Sequence, residues 1–245
     1  MGGMIRMETR MKIWYLYHSG FAVETPGHFL VFDYWRDTPK GGGLDEGVID
    51  PGALRDKDLV VFASHRHGDH FNRAILDLPG QVPKTRLILS DDIRGGEGAV
   101  RLGPGQSLEM PDLRIRTFAS NDEGVAFLVE LDGLRIYHAG DLNWWHWEGE
   151  PEEDNSGMES SYKAQIALLG ETAIDLAFVV LDPRQEGQYA WGFDHFLRHV
   201  DVRHVVPMHF GDAPEVVGQL LGDPVSAPYR DKVIGLTRRG QSAEV

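Results

Sequence analysis

The 245-residue chain contains no cysteine. Disulfides and thiolate metal sites are therefore excluded, and any metal must be held by His, Asp or Glu. Long apolar runs are missing too. The longest hydrophobic stretches are strand-length, far below the ~20 residues a membrane-spanning helix needs. Met1 to Arg10 is polar and charged, without the apolar core of a signal peptide. Together these absences make the cytoplasm the expected compartment. No linker rich in Pro, Ser and charge, no internal repeat and no low-complexity tract divides the sequence, so residues 1–245 read as one domain with room for a sizeable core. Basic residues are outnumbered, 24 Lys plus Arg against 38 Asp plus Glu, for a formal net charge of −14. That balance suits solubility and is a poor match for nucleic acid, whose binding needs Lys and Arg on phosphates.

What is present is concentrated in Ser64-His65-Arg66-His67-Gly68-Asp69-His70. Three imidazoles and a carboxylate in six positions suit a divalent transition metal, because these are borderline ligands for Zn2+ and its neighbours. Leu59 to Ala63, just before, is an unbroken apolar run that reads as a buried strand. The ligands thus begin where a rigid element ends. His65 and His67, two apart, point to one side in extended backbone. Gly68 then lets the chain turn before Asp69 and His70. One pair can serve one ion and the other pair a second.

Elsewhere, Ile13 to Tyr17, Phe29 to Phe32, Leu87 to Leu89 and Leu113 to Arg116 read as strands, with a turn at Pro26-Gly27. Val125 to Leu131 and Leu134 to His138 flank Asp132-Gly133, a hairpin signal. Tyr162, Ile166 and Leu169 share a helical face, with a stop at Gly170. Ala177 to Leu181 and His204 to Met208 read as buried strands. Phe193 to Val200 and Pro214 to Leu221 read as helices, and Val233 to Leu236 as a closing strand. Gly41-Gly42-Gly43 lacks the Gly-Lys-Ser/Thr of a phosphate cradle and reads as a surface loop. Periodicity alone supports α and β with many strands.

Four segments, taken together, resemble the metallo-β-lactamase superfamily of metal hydrolases. Val31-Phe32-Asp33 is similar to its early strand ending in a structural Asp, and His65 to His70 to its main metal loop. Tyr137 to Asp141 is similar to the strand whose final Asp bridges two metals, and Pro207-Met208-His209 to the strand delivering the last His. Their order and spacing agree across nearly the whole chain. His18-Ser19-Gly20-Phe21, Asp69-His70-Phe71-Asn72 and Ala139-Gly140-Asp141 most resemble the branch containing ascorbate-phosphate lactonase and its bacterial relatives. The resemblance implies an α+β fold, a four-layered αββα sandwich. It also implies that His65 and His67 hold one ion, that Asp69, His70 and His209 hold a second, and that Asp141 bridges them. Zn2+ is the expected metal, one or two ions, with Mn2+ or Fe2+ as alternatives. Asp33 is expected to orient a ligand imidazole from behind. His18 is open between a cleft-facing role and a structural one.

The sequence departs from the family at one point. Most dinuclear members carry another His between the metal loop and the bridging Asp, whereas no His lies between His70 and His138 here. Ser120, Asn121 or Asp122 can fill in, as can His146 or His18 from a loop, or only one ion is firmly held. The expected reaction is hydrolysis of a small-molecule ester, lactone, amide or phosphoester by a metal-bound hydroxide, with Asp69 orienting the water and accepting its proton. Asn143 and Trp144, in the aromatic run after Asp141, and Arg184, with a planar fork for a carboxylate or phosphate, are the expected substrate contacts. The alternatives are Trp residues anchoring the loop or covering a subunit interface in a homo-oligomer, and Arg184 paired with Asp182. Two other readings stand: a non-catalytic metal-binding or sensing protein, suggested by the missing His, and a nuclease, disfavoured by the acidic balance. No membrane partner is expected.

Overall fold

The computed structural model describes residues 10–245; the reading of Met1 to Arg10 as free of a signal peptide lies almost wholly outside them. The order in the first half is β1 (Lys12–Tyr17), β2 (Gly20–Glu24), β3 (Phe29–Phe32), β4 (Leu59–Ala63), α1 (Leu78–Gln81), β5 (Thr85–Ser90), β6 (Val100–Leu102) and β7 (Ser107–Glu109). There follow β8 (Leu113–Ala119), β9 (Val125–Leu131), β10 (Leu134–His138), α2 (Glu152–Ala167), β11 (Ile174–Val180), α3 (Trp191–His199), β12 (Val202–Met208), α4 (Glu215–Gly222) and β13 (Ser242–Glu244). A seven-stranded sheet runs β13-β1-β2-β3-β4-β5-β6 and a six-stranded sheet runs β12-β11-β10-β9-β8-β7.

Stacked aromatics fill the space between the sheets. Phe32 lies 4.6 Å from Phe62, and Phe21 lies 4.3 Å from Phe178 across the interface. Each such fully buried ring contributes about 1.5–3 kcal/mol. The outer face of the first sheet buries Trp14, Val31, Val61 and Leu89 against Ile75 and Leu78. The second sheet is covered by α2 and α3. Tyr137 packs on Phe196 at 5.1 Å, and the Tyr162 hydroxyl donates to the Gly192 carbonyl at 2.7 Å. Two mixed sheets with helices outside form the expected α+β sandwich.

Strand direction explains how distant residues meet. β1 and β3 are both antiparallel to β2, and β4 is parallel to β3, so these three strands end at one edge. β8 and β10 are both antiparallel to β9, and β11 and β12 run parallel to β10, so these four also share an edge. His18 follows β1, Asp33 follows β3, and His65 to His70 follow β4. Asp122, Asp141, Asp182 and His209 follow β8, β10, β11 and β12. Seven carboxyl ends therefore deliver the titratable residues to one rim.

Several elements differ from the sequence reading. β6, β7 and the short α1 were not read from the sequence. β2, also not read as a strand, is a central strand between β1 and β3. Val233 to Leu236 is not a strand. Val233 makes one isolated bridge to Val205, and the first sheet is closed instead by β13 pairing with β1. α2 begins well before the apolar spacing at Tyr162, because its first turn is Glu152, Glu153 and Asp154. Acids there suit the helix dipole, but they carry no apolar periodicity.

Candidate metal centre

The loop after β4 is pinned before its ligands begin. Asp33 Oδ1 accepts the Ser64 N–H at 2.7 Å and Oδ2 accepts the Ser64 hydroxyl at 2.6 Å. The same Oδ2 lies 2.7 Å from His70 Nδ1. An ionised carboxylate can only accept, so His70 carries its proton on Nδ1 and turns Nε2 inward. His209 is oriented the same way, its Nδ1 3.0 Å from Asp182 Oδ2. His18, Asp33 and His209 all have left-handed backbone, with φ of 59°, 44° and 71°. Such conformations are uncommon for non-glycine residues and cluster at functional sites.

Asp141 is the hub. Its Oδ1 lies 3.0 Å from His70 Nε2 and 3.2 Å from His209 Nε2, and its Oδ2 lies 3.4 Å from His65 Nε2. Ligand atoms of His65, His70 and Asp141 lie within 4.8 Å of one another, as do those of His18, Asp69, His70 and His209, and those of His67, Asp122 and Asp141. The His18 ring lies 4.1 Å from that of His209, tilted by 46°, with Nε2 3.7 Å from Asp69 Oδ2. His67 Nε2 lies 3.4 Å from Glu123 Oε2, and Glu123 also accepts from Arg66 at 2.7 Å.

Electrostatics here are those of a strongly coupled cluster. Burial opposes charge on His70 and His209, yet Asp141 raises them to about 10 and about 9, helped by Asp33 and Asp182 respectively. Burial opposes ionisation of Asp141, but His70 and His209 hold its carboxyl well below the usual range. His18 is pushed down to about 3 by burial and by His209 and His70. Asp182, opposed by burial, is held at about 2 by His209 and Arg184.

A divalent cation fits these residues on one direct test. His18 Nε2 and His65 Nε2 are buried without a hydrogen bond, and His70 Nε2 and Asp141 Oδ1 face each other at 3.0 Å without the geometry of one. Each buried polar atom left unsatisfied costs about 1–3 kcal/mol. Imidazole nitrogens converging on the Asp141 carboxylate have the chemistry of a ligand set that could hold a divalent cation.

Beside the hub lies a cleft of about 340 Å3, lined in part by Asp69, Asp122, Trp145, Trp147, Met158 and Arg184. Trp145 and Trp147 stack at 5.5 Å with a 7° interplanar angle, and Trp145 Nε1 donates to the Asp141 carbonyl at 3.0 Å. Arg184 is largely exposed but engaged by Asp182, with Nε 3.0 Å from both carboxylate oxygens.

The structure thus gathers His65, His67, Asp69, His70, Asp141 and His209, with Asp33 behind His70. It moves three expected residues away. Trp144 does not line this cleft. It packs on Trp191 at 5.2 Å beside a different cavity, where the Trp145 N–H bonds back to the Asn143 carbonyl at 2.9 Å and turns the loop at Trp144. Asn143 is buried as a brace, its Nδ2 donating to Gln185 Oε1 at 2.8 Å and its N–H to Asn121 Oδ1 at 3.3 Å. Ser120 shapes its loop by accepting the Asp122 N–H at 3.1 Å. Of the candidates for the missing His position, Asp122 stands with His67 and Asp141, whereas His146 packs on Trp191.

Sequence reasoning missed two supports. Asp182, noticed only as an Arg184 partner, also orients His209. His138 links two ligand-bearing turns: its Nε2 lies 2.9 Å from the Ser19 carbonyl, and its Nδ1 accepts the Gly140 N–H at 3.2 Å. The Trp145/Trp147 spacing of two was the available signal for the cleft wall.

Residues 12–145, more than half of the chain, match the family described as the beta-lactamase superfamily domain. The chain belongs to that family, within the metallo-β-lactamase superfamily of metal-dependent hydrolases. A metal-dependent hydrolase of Opitutus terrae is 26% identical, over 84% of this chain and 87% of that protein. One of Rubrobacter xylanophilus is also 26% identical, over 84% of each. Among solved structures, Igni18, a metallo hydrolase of Ignicoccus hospitalis, superposes with a TM-score of 0.65 at 21% identity, covering 97% of this chain and 99% of that one. No helix among the described residues is long and apolar enough to cross a membrane.

Proposed function

We propose that this chain hydrolyses a small-molecule ester, lactone, amide or phosphoester at a zinc centre of one or two ions, in the cytoplasm. The observation that carries the reading is the convergence of His65 Nε2, His70 Nε2 and His209 Nε2 on the buried Asp141 carboxylate, at 3.4, 3.0 and 3.2 Å. Asp69, His70, His209 and His18 would hold one ion, and His65, His67 and Asp122 the other, with Asp141 between. A divalent cation bound there brings the proton loss of water toward neutral pH and polarises a carbonyl or phosphoryl oxygen.

The chain's own residues supply the rest. Asp69, exposed at the cleft mouth, accepts the proton of the attacking water at a carboxylate oxygen. Asp33 and Asp182 keep Nδ1–H on His70 and His209, so their Nε2 lone pairs stay inward. Trp145 and Trp147 wall off bulk water and give an apolar body a surface to lie on. Arg184, held by Asp182, presents its remaining N–H donors to a negative group on the substrate. The formal net charge of −14 disfavours a polyanion such as nucleic acid as the substrate.

The test is metal analysis of the purified chain joined to a turnover screen over generic esters, lactones, amides and phosphodiesters. His70→Ala and His209→Ala are expected to lose both bound metal and turnover. A folded chain that takes up none of Zn2+, Mn2+ or Fe2+ overturns the proposal. Tight metal binding without turnover of any class would favour a sensing role instead.

A further inference from the structure

A second cavity lies on the far side of the loop that carries Trp145 into the metal cleft. It encloses about 450 Å3, inside the ~300–1,000 Å3 span of small-molecule sites. Trp144, Trp191, His195 and His199 supply aromatic walls, and α2 contributes Glu152 and Glu159. Trp191 is 40% exposed, and it and Leu168 are the exposed large hydrophobic side chains among the described residues. The rings are arranged together: Trp191 lies 5.2 Å from Trp144, His195 meets the Trp144 ring edge-on at 6.1 Å, and His195 stacks on His199 at 4.0 Å.

The charges around this cavity have one sign in excess. Glu152, Glu159 and Asp194 line it with Arg198, and the Lys163 ammonium beside Trp144 is ion-paired with Glu159, so three negative groups face two positive ones. Arg198 is committed to Asp194, with Nε 2.8 Å from Oδ2. His195 adds no positive charge at neutral pH, because burial, His199 and Lys163 push it down to about 4. Glu152 receives only the Ser156 hydroxyl, at 3.4 Å. One face of Trp144 already carries a cation, since the Lys163 ammonium sits 4.1 Å from the ring centroid.

The geometry points to a binding site for a small organic cation, an ammonium group on an apolar or aromatic body, lodged between Trp191, Trp144 and the carboxylate of Glu152, the acid of this cavity that no lysine or arginine neutralises. An ammonium gains about 0.5–2 kcal/mol over each aromatic face as it is desolvated. A neutral body of the same shape gains only contact area, and an anion meets Glu152. A metal ion is not the occupant. His195 and His199 stand one helical turn apart, but His199 Nδ1 is engaged by the His195 carbonyl at 2.8 Å. No group of three ligand atoms within reach of one ion forms there among the described residues. The inference does not rest on the hydrolase reading, because it uses none of the residues around Asp141.

The probe is benzyltrimethylammonium, titrated calorimetrically into the full chain after incubation with Zn2+, so that bound metal offsets the cleft carboxylates. Saturable binding at one site is expected. Trp191→Ala should weaken it by about tenfold, matching the loss of one desolvated aromatic face. Glu152→Gln should weaken it several-fold, while Trp147→Ala in the metal cleft leaves it unchanged. Trp191 is partly exposed at the start of α3, and an unchanged melting temperature verifies that its variant is folded. The inference is overturned by benzenesulfonate or benzyl alcohol binding as tightly as the cation. It is equally overturned by no saturable heat in the low millimolar range, or by sensitivity to Trp147→Ala in place of Trp191→Ala. If the chain takes up no metal, the same variants are compared without it. The hydrolase reading then fails while this one is still decided.

Discussion

His28 sits at the end of the sandwich away from the metal centre, in the turn between β2 and β3, and ties the two sheets together. Its Nδ1 lies 2.9 Å from Asp132 Oδ2 and its Nε2 2.9 Å from Asp112 Oδ2. Asp132 Oδ2 also accepts from the Thr25 hydroxyl and the Gly27 N–H, while Arg86 spans Asp112 and Asp58. Burial opposes charge on His28, but Asp132 and Asp112 outweigh it and raise its pKa above the ordinary value. Asp112 is lowered chiefly by His28. Asp132, though opposed by burial, is lowered by Thr25 and His28. The imidazolium contribution is therefore complete below the unfolded pKa of ~6.5 and fades as pH rises through the folded one. The carboxylate contributions are complete above ~3.9 and fade as pH falls through their lowered values. The window of full strength runs between those limits. A charge-assisted hydrogen bond is worth about 1.5–3 kcal/mol, and the one to exposed Asp112 is discounted for solvent screening. His28→Gln should then cost about 2 kcal/mol near pH 5.5. At about 2–4 °C per kcal/mol for a chain of this size, Tm should drop by roughly 4–8 °C. Thermal melts of both proteins from pH 4.5 to 9.5 read this directly, and the gap in Tm should narrow at the alkaline end. A gap that is constant or widens with pH refutes the reasoning.

Other expectations concern the metal rim. A Cβ on Gly124 would stand 1.9 Å from the Ser64 carbonyl oxygen, and its φ is +68°. Gly124→Ala should therefore displace the metal loop, lowering stability by about 2–4 kcal/mol and reducing bound metal in elemental analysis. Asp33→Asn removes the acceptor behind His70 and should weaken zinc binding by about 10–100-fold in competition with a chromophoric chelator; unchanged affinity would show that Asp33 only shapes the loop. Stripping metal with a chelator should lower Tm, and re-adding Zn2+ at about 100 times its Kd should restore roughly 2.7 kcal/mol; a Tm indifferent to metal speaks against the centre.

The sequence was most legible where chemistry and regular structure coincide. Leu59 to Ala63 followed by four metal-ligating residue types in six positions pointed to the candidate centre, since apolar runs declare buried strands and these side chains suit a metal. Asp141 and His209 were legible from order and resemblance alone, because a lone Asp or His has no local signature. What escaped depended on tertiary contact. Asp182 reads as an arginine partner until β11 and β12 are known to end side by side. The orientation of Trp144 against Trp145 turns on loop backbone that no periodicity fixes. β13 escaped because Ser-Ala-Glu is a strand only by virtue of the β1 edge it meets.

That last strand brings two remote stretches of chain side by side: Met11 donates to the Val245 carbonyl at 2.8 Å and Val245 donates back to Met11 at 2.9 Å. Positions 242–244 must leave the ribosome before the first sheet can acquire its outer border, so β1 waits for a neighbour made long after it. Conversely, a few flexible residues joining position 245 to position 10 would bridge almost no distance. New ends could then be opened at the exposed Gly41 turn, giving a circularly permuted protein with the same thirteen strands and the same rim.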